Sequence, residues 1–232
     1  MSSVKEEKKI KVIKNGPYMV TGNVPLAKEM ITEDEKRYLL KWEKVSDYPE
    51  QETHSLCRCG ESKNAPFCDG AHKRAACNMA ETAEKATFQS KAEKVEGDDI
   101  ILFDVPDLCA SGHFCTRAGG AWDLVRERSD DPEKIRIAIK EASDCPSGRL
   151  VMMDKKTGQE IEPDFEPSIS IAQDEVAGVS GPICVRGRIQ IEGSDGTLYE
   201  LRNRVALCRC GQSNSKPFCD GSHVAYKFHD KQ

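Results

Sequence analysis

One sixteen-residue pattern occurs twice. Residues 57–72 read CRCGESKNAPFCDGAH and residues 208–223 read CRCGQSNSKPFCDGSH. The spacing is the same in both: Cys, one residue, Cys, eight residues, Cys, three residues, His. A chain that repeats a loop of this kind must build two equivalent sites, and the repeat decides its architecture. A fainter echo precedes each loop. Gly16-Pro-Tyr-Met-Val20 matches Gly181-Pro-Ile-Cys-Val185, and Gly22 matches Gly187, at a shift of 165 rather than 151. Each copy is therefore a strand-bearing segment followed by a Cys/His loop. The first copy carries 14 more residues between the two, in the charged Glu29–Glu50 stretch.

The loops hold six of 11 cysteines in 232 residues, an odd and clustered set. Met1 to Lys9 has no apolar core after its charges, so no secretory signal is expected, and neither is a disulfide framework. Clustered cysteines in a reducing, cytoplasmic setting point to metal or redox chemistry. No apolar run approaches the roughly 18–20 residues of a spanning helix, so no membrane is expected. The net charge of −5 argues against nucleic acid as a partner.

Strand character is read at Ile10–Ile13, Pro17–Val20, Arg37–Trp42, Ile183–Ile191 and Leu198–Leu201, with Ser194-Asp-Gly196 as a hairpin turn before the last. The expected organisation is a first half at 1–80, a linker with some helical bias at 81–97, a different module at 98–165, and a second half at 166–232. Within the module, Ile100–Val105, Ala121–Val125 and Arg149–Met153 are strand candidates. Asp131-Pro132-Glu133 starts a helix. Ile135, Ala138, Ile139 and Ala142 give it one buried face, and it stops before Pro146.

Three thiolates and one imidazole hold either zinc or an iron–sulfur cluster. Zinc sites usually split their ligands into two knuckles with C-x2–4-C spacing. Here four ligands lie within sixteen residues and begin with C-x-C. Residues two apart in an extended chain face the same side, so both thiolates reach one object while Cys68 and His72 approach it from across the loop. That suits a binuclear cluster at least as well as a single ion, and the balance tips modestly to iron–sulfur. Gly60, Gly70, Gly211 and Gly221 allow close backbone approach, Pro66 and Pro217 stiffen the turn, and Asp69 and Asp220 can cap a helix through the His. Arg58 and Arg209, between the paired cysteines, either offset cluster charge or are ordinary solvated arginines.

Cys57, Cys59, Ser62, Pro66, Phe67, Cys68, Asp69, Gly70 and His72, with Cys208, Cys210, Ser213, Pro217, Phe218, Cys219, Asp220, Gly221 and His223, resemble the CDGSH iron–sulfur domain of the NEET family. The one difference in the five-residue core is Ala71 against Ser222. The resemblance covers roughly 1–80 and 166–232. It implies a 2Fe–2S cluster per loop, held by Cys57, Cys59, Cys68 and His72 and by Cys208, Cys210, Cys219 and His223. It implies an α+β fold in which two halves swap strands into a β-cap, here as an intramolecular pseudo-dimer in a monomer. With imidazole in place of one thiolate, the potential is expected between roughly −400 and +300 mV. The His ligands are the expected acid-labile points.

Cys109, Cys115 and Cys145-Pro146 form C-x5-C…C-P. Aligned with a bacterial ferredoxin loop, Gly112 stands where the second Cys belongs. With Trp122 and Asp144-Cys-Pro-Ser-Gly148, the segment resembles a divergent single-cluster ferredoxin-like domain inserted between the halves. Three cysteines suit a 3Fe–4S cluster; a 4Fe–4S cluster needs another ligand, with His113 nearest. The bland alternative is a relic fold with three buried thiols. Cys184 aligns with Met19 and reads as core, Cys77 as structural, and His54 and His229 as surface histidines.

The function expected is electron transfer, iron–sulfur cluster transfer or redox sensing, with a redox protein or an apo iron–sulfur acceptor as partner. No Ser/His/Asp, phosphate-cradle or flavin signature occurs, so catalysis is not expected. The competing class is a zinc-stabilised, non-redox interaction module. A third is an enzyme that uses the central cluster, for which no substrate pocket is legible.

Overall fold

A computed structural model describes residues 7–36, 39–75, 77–127 and 130–231. The first part supplies strands β1 (Lys9–Val12), β2 (Tyr18–Thr21), β3 (Leu26–Glu33), β4 (Leu40–Asp47) and β5 (Thr53–Leu56). The middle supplies α1 (Phe88–Lys91), β6 (Glu93–Glu96), β7 (Ile100–Asp104), α2 (Ala121–Glu127), α3 (Pro132–Ser143), β8 (Leu150–Asp154) and β9 (Glu160–Ile161). The last part supplies β10 (Ser168–Asp174), β11 (Val179–Arg186), β12 (Gln190–Glu192), β13 (Arg204–Leu207) and α4 (Ser222–Ala225).

The outer parts exchange strands. β1, β2 and β5 form an antiparallel run, but its outer strand on the β1 side is β12, parallel to β1 with Ile10 opposite Ile191. β10, β11 and β13 form the matching run, and β3 crosses to it, parallel to β10 with Leu26 opposite Ile169. The registers correspond: Tyr18 faces Leu56 in one sheet and Ile183 faces Leu207 in the other. Alternating inward positions from both runs form one core. Ile10, Val12, Tyr18, Val20 and Leu56 pack with Ile169, Ile171, Ile183, Val185 and Leu207. Each such side chain contributes roughly 1.5–3 kcal/mol by leaving water.

The 14-residue excess of the first copy is the β3–β4 hairpin, which widens the second sheet. Trp42 on β4 stacks on Phe114 at 5.1 Å between ring centroids and donates to the Asp144 carbonyl at 3.1 Å. The hairpin thus grips the middle segment. Arg37 and Tyr38, the start of the strand expected at Arg37–Trp42, lie outside the described residues.

The middle segment is an antiparallel sheet, β6-β7-β8-β9, covered by α2 and α3. β6 lies in the stretch read as linker. Asp131 caps α3 as expected, accepting from the Glu133 and Lys134 amides. Ala138 and Ala142 are buried, as the helical pattern requires, and Glu141 is buried with them.

Three expectations are corrected. Ala121–Val125 is helix, because its apolar residues Ala121, Leu124 and Val125 recur at three and four rather than two. Ile183–Ile191 is two strands, broken at Gly187 and Arg188 by positive φ values of 76° and 58°. Leu198–Leu201 is no strand; it makes a single bridge from Leu198 to Glu192, and Leu198 and Leu201 are exposed.

Candidate metal centres

Each repeated loop is set by its own short polar residues. Ser62 donates to the Phe67 carbonyl at 2.6 Å and accepts from the Asn64 amide at 3.1 Å. Ser213 does the same with Phe218 and Ser215, at 2.7 and 3.0 Å. Asp69 accepts from the Lys63 and Ala71 amides, and Asp220 from those of Asn214 and Ser222. These bonds hold the Asp69 carboxyl below its usual range. The first cysteine of each loop donates its amide to the cis-proline carbonyl, Cys57 to Pro66 and Cys208 to Pro217, both at 2.8 Å.

The outcome is two ligand pairs per loop. Cys57 and Cys59 sulfurs lie 3.6 Å apart, and Cys208 and Cys210 3.8 Å. Cys68 Sγ lies 3.5 Å from His72 Nδ1, and Cys219 Sγ 3.4 Å from His223 Nδ1. Two thiolates at about 2.3 Å from one tetrahedral ion stand about 3.8 Å apart, and a thiolate and an imidazole about 3.5 Å. Each pair is therefore spaced as two corners of one tetrahedron. Among the described residues, no three or more His, Cys, Asp or Glu side chains converge on a single-ion site.

Electrostatics agree with ligand duty. In each cysteine pair the first proton is lost easily, since the remaining thiol donates to the thiolate. This brings Cys57 down to about 6 and lowers Cys210. Burial pushes the Cys219 thiol up and His223 down to about 4, so His223 is a neutral donor before any metal binds.

The two loops meet. A Cβ on Gly60 would stand 2.6 Å from the Cys210 carbonyl oxygen, and one on Gly211 2.5 Å from that of Cys59. Only glycine permits this reciprocal contact, at φ values of 78° and 77°. Tyr18 of the first part donates to the Cys208 and Pro217 carbonyls, each at 2.9 Å.

Arg58 and Arg209 are not solvated; both are about 2% exposed. They point away from the paired thiols, as the residue between two same-side neighbours must. Arg58 donates to the Gly16 and Ile13 carbonyls, Arg209 to those of Gly181 and Ala172. Asp230 pairs with Arg209. His54 is also buried, not a surface residue, and stacks on Phe67. His229 is exposed and Cys184 fully buried. Cys77 packs on Cys57, Cys59 and Met79.

In the middle segment burial, and after it repulsion from the nearby Cys145 and Cys109, pushes the Cys115 thiol up to about 12. Gly112 lies close against Pro146: a Cβ there would stand 3.0 Å from the proline ring. His113 is exposed. Two residues that no motif marked complete the surroundings. Arg149 interacts with the Cys109 thiol, lies over Trp122 and holds Asp104 bidentately. Arg204, on the strand entering the second loop, donates to the Ala142, Ser143 and Cys145 carbonyls and pairs with Glu162. A basic residue flanking a cysteine ligand was the only sequence signal available for either.

Comparison with known families follows this geometry. Residues 15–73 and 180–224 match the family described as iron-binding zinc finger, CDGSH type. Residues 95–155 match the family described as divergent 4Fe-4S mono-cluster. The chain is an iron–sulfur protein. More narrowly, it carries two CDGSH segments flanking a divergent mono-cluster domain. No curated protein and no solved structure matches the chain.

Proposed function

We propose that each CDGSH loop holds a 2Fe–2S cluster, through Cys57, Cys59, Cys68 and His72 and through Cys208, Cys210, Cys219 and His223. The observation that carries this is the pairing of ligands at tetrahedral-edge distances with no three of them converging. A binuclear cluster takes two ligands on each iron, whereas zinc takes four at one point. The exchanged third strands and the reciprocal glycine contact support an intramolecular pseudo-dimer of the NEET kind. Cys109, Cys115 and Cys145 supply three ligands to a further cluster, for which the family match favours the four-iron form and the missing fourth cysteine leaves the three-iron form open.

Such clusters supply one-electron redox chemistry and transferable iron and sulfide. The chain's own residues do the rest. The thiols of each pair release one proton readily, the loop amides fix the cysteine backbones, and Arg149 offsets negative charge at Cys109. The role that follows is electron transfer or cluster transfer to a redox protein or an apo iron–sulfur acceptor, without catalysis, in a reducing compartment.

Iron and acid-labile sulfide analysis of anaerobically purified protein tests this, with EPR of the reduced and oxidised forms. Four iron and four sulfide for the two loops, plus three or four iron for the middle segment, are expected. Protein holding zinc without sulfide after reconstitution overturns the reading in favour of an interaction module.

A further inference from the structure

The two CDGSH loops have nearly the same sequence but different surroundings. Cys219 and His223 are each 3% exposed, whereas Cys68 and His72 are half-buried. The cover over the second loop comes from the middle segment. Ala110 packs on Cys219 and Ala206. A Cβ on Gly221 would run into the Ser111 hydroxyl and stand 3.3 Å from the Cys109 carbonyl oxygen, whereas one on Gly70 would meet nothing within 4 Å. The open loop is also the charged one. Lys63, Lys73 and Arg74 are exposed around it, and the matching positions of the second loop hold Asn214, Val224 and Ala225. None of the three cations has an ion-pair partner among the described residues.

We propose that the first loop is the docking and exchange face of the chain, for a partner protein presenting an acidic surface, while the Cys109–Ser111 segment seals the second loop. The proposal rests on the function proposed above. Sealing removes access to the Cys219–His223 side of the second site. The three cations give the first loop a local positive field in a chain whose net charge is −5, which selects and steers anionic partners.

The test follows ligand release loop by loop in the holoprotein. Protein of measured iron, sulfide and zinc content is mixed with a neutral chelator, 2,2′-bipyridyl, or an anionic one, bathophenanthroline disulfonate. Aliquots are quenched with iodoacetamide, and peptide mass spectrometry counts alkylation at Cys57, Cys59 and Cys68 against Cys208, Cys210 and Cys219. The first set is expected to be freed about tenfold sooner, about 1.4 kcal/mol in barrier. Gly221→Ala crowds the cover at the Ser111 side chain and the Cys109 carbonyl and is expected to speed release from the second loop toward that of the first. Gly70→Ala carries the same left-handed backbone strain, φ 81° against 83°, without any cover and sets the reference. The anionic chelator is expected to gain at the first loop at low salt, and to lose that gain in Lys63→Gln/Lys73→Gln/Arg74→Gln and at high salt. Equal release from the two loops, or a Gly221→Ala effect no larger than that of Gly70→Ala, overturns the sealed second loop. No anionic preference, or its survival in the triple variant, overturns the acidic partner. A zinc-loaded preparation overturns the iron–sulfur reading instead, while its labelling still reports which loop is open.

Discussion

One buried carboxyl ties the stability of the fold to pH. Glu141 on α3 is 2% exposed, and neither of its oxygens has a hydrogen-bond partner among the described residues. Burial alone raises its pKa to about 8, against an ordinary value of 4.5. The folded state therefore prefers the neutral acid. No penalty exists below the unfolded pKa; it grows as pH rises from about 4.5 to about 8 and is then constant. At pH 7 it is on the order of 3 kcal/mol. Glu141→Gln is expected to raise stability at pH 7 and to flatten its decline between pH 5 and 8, as read by urea denaturation across that range. The two histidines proposed as ligands carry a second residue-scale prediction. Replacing neutral imidazole by thiolate adds one negative charge, so His72→Cys and His223→Cys should each lower the potential of their own site by on the order of 100 mV. Spectroelectrochemical titration checks this, and unchanged potentials would remove the histidines from the ligand set.

At the scale of elements, the link between the second loop and the middle segment is Arg204. Its guanidinium serves the end of α3, the Cys145 carbonyl and Glu162 at once. Arg204→Met removes the cation that faces the largely buried Glu162 and a donor shared by the Ala142, Ser143, Cys145 and Leu150 carbonyls, at a cost of about 3–5 kcal/mol. The expected readout is faster loss of the middle segment's visible absorbance on dilution, with the first loop little changed. The sequence spoke unevenly about such elements. Asp131-Pro132 announced α3 because a cap and a proline act locally. The Cys/His loops stood out because one spacing of cysteines and histidine recurs at 57–72 and 208–223. Arg58, Arg209, Arg204 and His54 were misread or missed, because their burial depends on partners well separated in the chain, such as Gly181 for Arg209, 28 positions away, and Ala142 for Arg204, 62 away. The β3–β4 hairpin was visible as surplus length and as the strand read at Arg37–Trp42, which overlaps β4; its task of gripping Phe114 lay in a contact no local pattern encodes.

Across the whole molecule, the repeat predicted equivalence and the structure supplies it in the strand registers and the facing glycines. It also breaks that equivalence with one inserted segment that touches one loop. Gly60→Ala and Gly211→Ala test the shared axis. Each puts a methyl group against a backbone carbonyl of the opposite loop and adds left-handed strain, of order 1–3 kcal/mol for the strain alone. Either single change is expected to speed ligand release from both loops. An effect confined to the altered loop would mean the two close independently.

The strand exchange has a consequence for how the chain comes into being. On the ribosome, β1 and β2 emerge without β12, and β3 emerges without β10, whose partner residues lie about 140 positions later. The first half therefore waits, with an unpaired edge, until β10 and β12 have left the exit tunnel. Its loop is the earliest to be synthesised but completes its surroundings only when Cys210 arrives to meet Gly60. Metal loading at that loop thus waits for the second half, and a message truncated before residue 190 should yield a product whose first loop takes up no iron.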